Sequence, residues 1–191
     1  MNVWRKMNLP NKVTMLRFLA VPVFVLVVSL FEGWGADLVA GLLFIVAACT
    51  DFVDGYLARS RNLVTTFGKF MDPLVDKILV TAALVALVAM ERIPAWVVIL
   101  ILAREFAITG LRTIAVSENV VIAASPLGKL KTACQMTAIA LLLLYTLPCL
   151  APAFAVTVYW LGEVLMYIAL VLTLVSGGDY LLKCKDLLSD Y

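Results

Sequence analysis

The stretch Asp51 to Asp76, DFVDGYLARSRNLVTTFGKFMDPLVD, sets four aspartates into a chain that is otherwise overwhelmingly apolar. Their spacing is D-x2-D-G-x2-A-R-x8-G-x3-D-x3-D. A carboxylate at mid-membrane costs roughly 2.5 to 3.5 kcal/mol on insertion scales, so a group of four costs on the order of 10 kcal/mol unless something neutralises it. A divalent metal site is the natural candidate.

The rest of the composition makes that reading a membrane one. The 191 residues are 64% hydrophobic with a mean hydropathy of +1.05, which predicts an all-α integral membrane protein, read here as a single domain over residues 1–191. Cys49, Cys134, Cys149 and Cys184 are scattered and form no C-x-x-C, which speaks against a disulfide framework or a thiolate metal site. Histidine is absent, so acid–base and metal chemistry fall to carboxylates, whose hard oxygens suit magnesium first and manganese second.

Six transmembrane helices are expected, at about 13–31, 38–59, 67–90, 95–116, 126–147 and 154–182. Residues 1–12, with Trp4, Arg5 and Lys6, suit a short interfacial segment. The first apolar stretch is too long for a signal peptide and lacks a small-residue cleavage site. Glu91, Arg92 and Pro94 mark a tight turn, and Pro148 and Pro152 break the fifth helix. The sixth could begin near Phe154 or only after Glu163. Six spans put both termini on one side, and of the Lys and Arg residues only Arg92 falls opposite, so the positive-inside rule makes the terminal side cytosolic.

Helices two and three then run in opposite directions, each with about 13 apolar residues between its outer end and its acidic pair. Both pairs thus lie roughly 10 Å beneath the cytosolic boundary of a ~30 Å core. The i,i+3 pair Asp51/Asp54 and the i,i+4 pair Asp72/Asp76 each project from one face, and two facing pairs make a cup of carboxylates. Such a cup suits two bridged metal ions, the arrangement that stabilises attacking and leaving oxygens in phosphoryl transfer. Arg59, Arg61 and Lys69 flank it, and Arg104, Arg112, Lys129 and Lys131 approach the same cytosolic face, where phosphates need cationic partners.

Together these residues resemble the CDP-alcohol phosphotransferase family, whose signature is the pattern above; Asp51, Asp54, Gly55, Ala58, Arg59, Gly68, Asp72 and Asp76 fill every fixed position. The resemblance implies a six-helix membrane fold, a homodimer, and a CDP-linked lipid bound at two divalent metal ions near the cytosolic surface. It implies that Asp51, Asp54 and Asp72 bind metal, and that Asp76 both touches metal and acts as base on the acceptor hydroxyl. By the same resemblance Asn11, Gly55, Arg59 and Thr65 contact the CDP portion. NLPNKVTMLR (Asn8 to Arg17), AREFAITGLR (Ala103 to Arg112) and GKLKTACQM (Gly128 to Met136) are similar to the corresponding stretches of bacterial phosphatidylglycerophosphate synthases. The implied reaction joins CDP-diacylglycerol to glycerol 3-phosphate, giving phosphatidylglycerophosphate and CMP. Arg104, Arg112 and Lys129, joined by Lys131, would hold the acceptor phosphate. A bacterial cytoplasmic membrane, with the site on its cytosolic side and no nucleic-acid partner, is the setting this implies.

Each of these residues also has a structural explanation. The aspartates could pair with Arg59, Lys69 and Lys77, and Glu105 could bridge to Arg112 seven residues on. Lys129 and Lys131 could be interfacial anchors, the preferred reading for Lys131. Lys183, Lys185, Asp186 and Asp190 suit a solvated tail. Trp34, Trp96, Tyr159 and Trp160 suit membrane-interface aromatics. For Glu163 a loop position, an interhelical hydrogen bond and a dimer contact are all open. Two rival functions stand beside the main one. Within the family, the acceptor could be inositol phosphate, serine or a second phospholipid. From another class, a divalent-cation transporter also carries intramembrane carboxylates, although the outer parts of helices two and three lack the polar path it needs.

Overall fold

The computed structural model describes residues 9–60, 66–117 and 126–183; for 9–11, 51–60, 66–73, 76, 114–117, 181 and 183 it describes the backbone alone. Every element within those residues is helical: α1 (Leu9–Leu30), α2 (Trp34–Ser60), α3 (Thr66–Ala89), α4 (Ala95–Ser117), α5 (Pro126–Leu144) and α6 (Pro152–Lys183). Three carry stretches long and apolar enough to cross a membrane: Lys12–Leu30, Pro126–Leu144 and Pro152–Tyr180. Among the described residues, Trp34–Thr50 and Lys77–Ala89 are shorter apolar runs. In α4 the apolar run is interrupted by Arg104, Glu105 and Arg112. Large apolar side chains stand exposed along these helices, Leu16, Val23 and Leu30 on α1 and Val156, Val164 and Val171 on α6 among them. Bilayer hydrocarbon is the solvent that makes such a surface favourable.

The expected boundaries differ from the observed ones by four residues or fewer, each for a local reason. α1 starts at Leu9 rather than near 13, so the last part of the expected interfacial segment is already helix; Pro10 is tolerated because the first-turn N–H groups have no helical acceptor. Residues 1–8 lie outside the described residues. α6 begins at Pro152, settling the choice between 154 and 163, with the Ala151 carbonyl accepting the N–H groups of Phe154 and Ala155, both at 2.9 Å. Glu163 therefore lies within a helix, not in a loop.

Packing divides the chain into two compact units, residues 1–86 with 143–155, and residues 87–142 with 156–191. In the first, α1 packs on α2, with Phe24 and Phe44 fully or almost fully buried. Ala36, Ala40, Gly41 and Ala47 keep the α2 surface low enough for close approach. A Cβ on Gly41 would run into the Leu144 side chain. Asp37, buried in the first turn of α2 where the helix dipole favours an anion, accepts a 2.5 Å hydrogen bond from the Thr146 hydroxyl.

In the second unit the contacts fix three directions. Arg92 meets the end of α5 and Glu105 its beginning, so α4 and α5 are antiparallel. Trp96 touches Tyr167 at a 6.1 Å centroid distance, Arg104 bonds Ser176, and Arg112 overlies Tyr180, so α4 and α6 run the same way. Gly162 lets α6 approach α5: a Cβ there would lie 2.9 Å from Leu142 Cγ.

The turn after α3 is a Schellman cap, with Arg92 N–H donating to Leu87 O at 2.9 Å and Glu91 N–H to Val88 O at 3.0 Å. The left-handed position, usually glycine, is Glu91 with φ of 56°. Exchange to glycine removes the steric penalty at some entropic cost, so Glu91→Gly is expected to stabilise the protein by about 0.5–1 kcal/mol and Glu91→Val to destabilise it. Thermal unfolding of both variants in detergent checks this.

Candidate active site

The signature residues lie on two consecutive helices. Asp51, Asp54, Gly55 and Arg59 occupy the final part of α2, and Asp72 and Asp76 the first half of α3. Both stretches are helical throughout, so 51/54 share one face of α2 and 72/76 one face of α3. Asn11 falls in the first turn of α1. These residues are described by backbone alone, and Thr65 lies outside the described residues, as does Arg61. Among the residues whose side chains are described, no three His, Cys, Asp or Glu gather into a metal site. As a donor set, four carboxylates without imidazole or thiolate fit a hard, oxygen-seeking divalent cation.

Side chains are described for the basic group of the second unit, and they converge on one carboxylate. Glu105 Oε1 receives Arg104 Nη1 at 3.1 Å and Lys131 Nζ at 2.5 Å. Arg104 Nη2 goes on to Ser176 Oγ at 2.9 Å. Gly177 leaves the room for it, since a Cβ there would meet Arg104 Cγ at 3.0 Å and Nε at 3.2 Å. Two cations thus meet one carboxylate in this part-buried group. Arg104 Nε and the hydroxyl of Tyr180 are buried without a partner among the described residues. Arg112, on an exposed part of α4, places its guanidinium carbon 5.5 Å from the centre of the Tyr180 ring, a cation–π geometry. Lys129 is exposed at the start of α5.

Two expectations are corrected here. Lys131 is not an interfacial anchor: it is only 5% exposed and carries a short ion pair, because a buried ammonium requires an anion. Glu105 takes Arg104 and Lys131, not an ion pair with Arg112; two helical turns separate 105 from 112, and Arg112 turns to an aromatic ring instead. Ser176, Gly177 and Tyr180 went unremarked in the sequence, where small or aromatic residues near the end of a long apolar helix give no sign of the helix they face.

Comparison with known proteins places this arrangement in a family. The profile of CDP-alcohol phosphatidyltransferase matches residues 7–175, and the chain belongs to that family. It is an enzyme of that type, a transferase of phospholipid synthesis with transmembrane helices. The CDP-diacylglycerol--glycerol-3-phosphate 3-phosphatidyltransferase of Bacillus subtilis strain 168 is 44% identical over 187 residues, covering 92% of this chain and 94% of the relative. Proteins of the same name from Rickettsia typhi, at 39% identity, and Salmonella paratyphi A, at 38%, cover 93% and 96% of this chain and 97% and 98% of their own.

Removing the carboxylate on which two cations depend leaves a buried ammonium with a weaker partner. Glu105→Gln is expected to destabilise the protein by about 1–3 kcal/mol. Denaturation of Glu105→Gln, Lys131→Gln and the double variant checks this, the double variant losing less than the sum of the two.

Proposed function

We propose that the protein transfers the phosphatidyl group of CDP-diacylglycerol to glycerol 3-phosphate, giving phosphatidylglycerophosphate and CMP. The observation that carries this is the complete signature on α2 and α3, in a chain whose relatives bear the name of that reaction across nearly their full length. Asp51, Asp54, Asp72 and Asp76 would hold two divalent metal ions, Mg2+ by preference with Mn2+ as a substitute. Bound there, the ions supply Lewis acidity to the diphosphate oxygens and charge neutralisation to the departing CMP.

The protein's own groups do the rest. Asp76 takes the proton from the glycerol hydroxyl, whose oxygen bonds to the lipid-linked phosphorus as the bond from that phosphorus to the CMP oxygen breaks. Asn11, Gly55, Arg59 and Thr65 hold the CDP portion. Arg104, Arg112 and Lys129 hold the acceptor phosphate. Lys131, already committed to Glu105, supports that group through the ion pair. The cluster of Arg104, Arg112, Lys129 and Lys131 favours a phosphorylated acceptor over serine.

Six spans within one functional domain and two cytosolic termini complete the reading. α4 has 23 residues, about 35 Å of helix and enough to cross, and the parallel course of α4 and α6 is that of alternate spans in an up-and-down bundle. Arg92, the one cation on the outer side, is bound to the end of α5, so the charge bias among free loop cations is sharper than the count suggests. The proposed setting is a bacterial cytoplasmic membrane, with the site on its cytosolic side and the protein as a homodimer.

CMP release by purified protein in detergent, with CDP-diacylglycerol, Mg2+ and each candidate acceptor, tests the reading. Release is expected to require glycerol 3-phosphate, to stop on chelation by EDTA, and to fall by at least about 100-fold in Asp76→Asn, the scale of a lost general base. Release with inositol phosphate or serine instead would overturn the named product. Metal flux in proteoliposomes without CMP release would make the protein a transporter.

A further inference from the structure

Arg17 is one of two cations of α1, with Lys12, that the reaction above does not use. It is only 4% exposed, and it forms part of the wall of a groove of about 350 Å³ between α1 and α2 that is otherwise lined mainly by Leu16, Leu19, Val23, Leu43 and Val46. An arginine in such a wall requires a polar partner. Its Nε donates to the main-chain carbonyl of Ala47 at 3.1 Å, across thirty residues of sequence.

The position of that carbonyl gives the contact its meaning. In an α-helix the oxygen of residue 47 accepts the N–H of residue 51, so the guanidinium shares the oxygen on which the Asp51 turn hangs. One residue earlier, the Val46 carbonyl receives the Thr50 hydroxyl at 2.5 Å. Successive carbonyls of one turn thus carry side-chain donors just before the first signature aspartate. Donors inserted at a helical carbonyl lengthen its helical bond and bend the helix. A purely apolar contact between α1 and α2 would call for a leucine here; a planar guanidinium sets a direction.

We propose that Arg17 is a positioning residue: by holding the Ala47 carbonyl, assisted by Thr50 at Val46, it sets the orientation of the turn that presents Asp51 and Asp54, and through it the affinity of the carboxylate site for its metal. This rests on the metal reading given under Proposed function. Residues that orient metal ligands typically change affinity 10–100-fold when removed, and a contact that merely packs two helices changes stability instead.

The test is Mn2+ binding to the full chain in detergent, read by the loss of the free-ion electron paramagnetic resonance signal. Wild type, Arg17→Met, Arg17→Lys and Thr50→Val are compared, with circular dichroism and metal-free melting run in parallel. The expected result is Mn2+ affinity at least about 10-fold weaker in Arg17→Met, with helix content retained and a smaller loss in Thr50→Val. The Mg2+ concentration for half-maximal CMP release should rise by the same factor, with the KM for glycerol 3-phosphate at saturating metal unchanged. Wild-type Mn2+ affinity in a folded Arg17→Met overturns the proposal. Should Arg17→Met not fold, Arg17→Lys decides: weakened Mn2+ binding supports positioning, and unchanged binding rejects it. Absence of Mn2+ binding by wild type sinks the metal reading and this inference together, whereas tight binding in wild type and variants alike sinks the inference alone.

Discussion

A charged side chain in a medium of low dielectric must find its counter-group on the protein, and nearly every polar contact between helices here follows from that constraint. Arg17 finds the Ala47 carbonyl, Arg92 the Leu142 carbonyl, Lys131 the Glu105 carboxylate, and Asp37 the Thr146 hydroxyl. Each joins residues distant in sequence, so each also fixes which helices neighbour one another. Apolar contacts cannot do that alone, because lipid tails compete for the same surfaces on equal terms. The charges specify the packing as well as the chemistry.

The same constraint separates structural from chemical charges. Five aspartates lie on α2 and α3 beside Arg59, Lys69 and Lys77, whereas α4 and α5 carry four cations and one acid. The aspartate stretch repeats acids at i,i+3 and i,i+4, with Arg59, Lys69 and Lys77 on the same two helices. The basic group is a mixture. Lys131 is consumed by Glu105, Arg104 is held by Glu105 and Ser176 and retains a donor, and Arg112 rests on an aromatic face that directs it.

Helix positions were legible in the sequence because the punctuation is chemical: Gly33, the Glu91 to Pro94 turn, Pro148 and Pro152 separate the apolar runs. The family was legible because the aspartate spacing is particular to it. Pairings between helices were not. Nothing in the spacing of α4 tells Glu105 to prefer Lys131, twenty-six residues away, over Arg112 on its own helix. Arg17 was counted simply among the cytosolic-side cations, since burial of one arginine on an amphipathic stretch leaves no periodic trace. The use of Gly177 as space for the Arg104 side chain depends on a helix that only folding brings near.

The hairpin of α4 and α5 is fastened at both ends by different chemistry. Arg92 Nη1 grips the Leu142 carbonyl at 2.8 Å near the turn before α4, and Lys131 grips Glu105 farther along. The fastenings stand thirteen positions apart on one strand of the hairpin and eleven apart on the other, about 15–20 Å at helical rise. Two rods pinned at two separated points can neither slide nor swivel without breaking a bond to a charged group. The pair therefore behaves as a ruler. Adding or deleting a single residue between its marks would rotate every side chain beyond the change by about 100°, which leaves this segment far less free to vary in length than in composition.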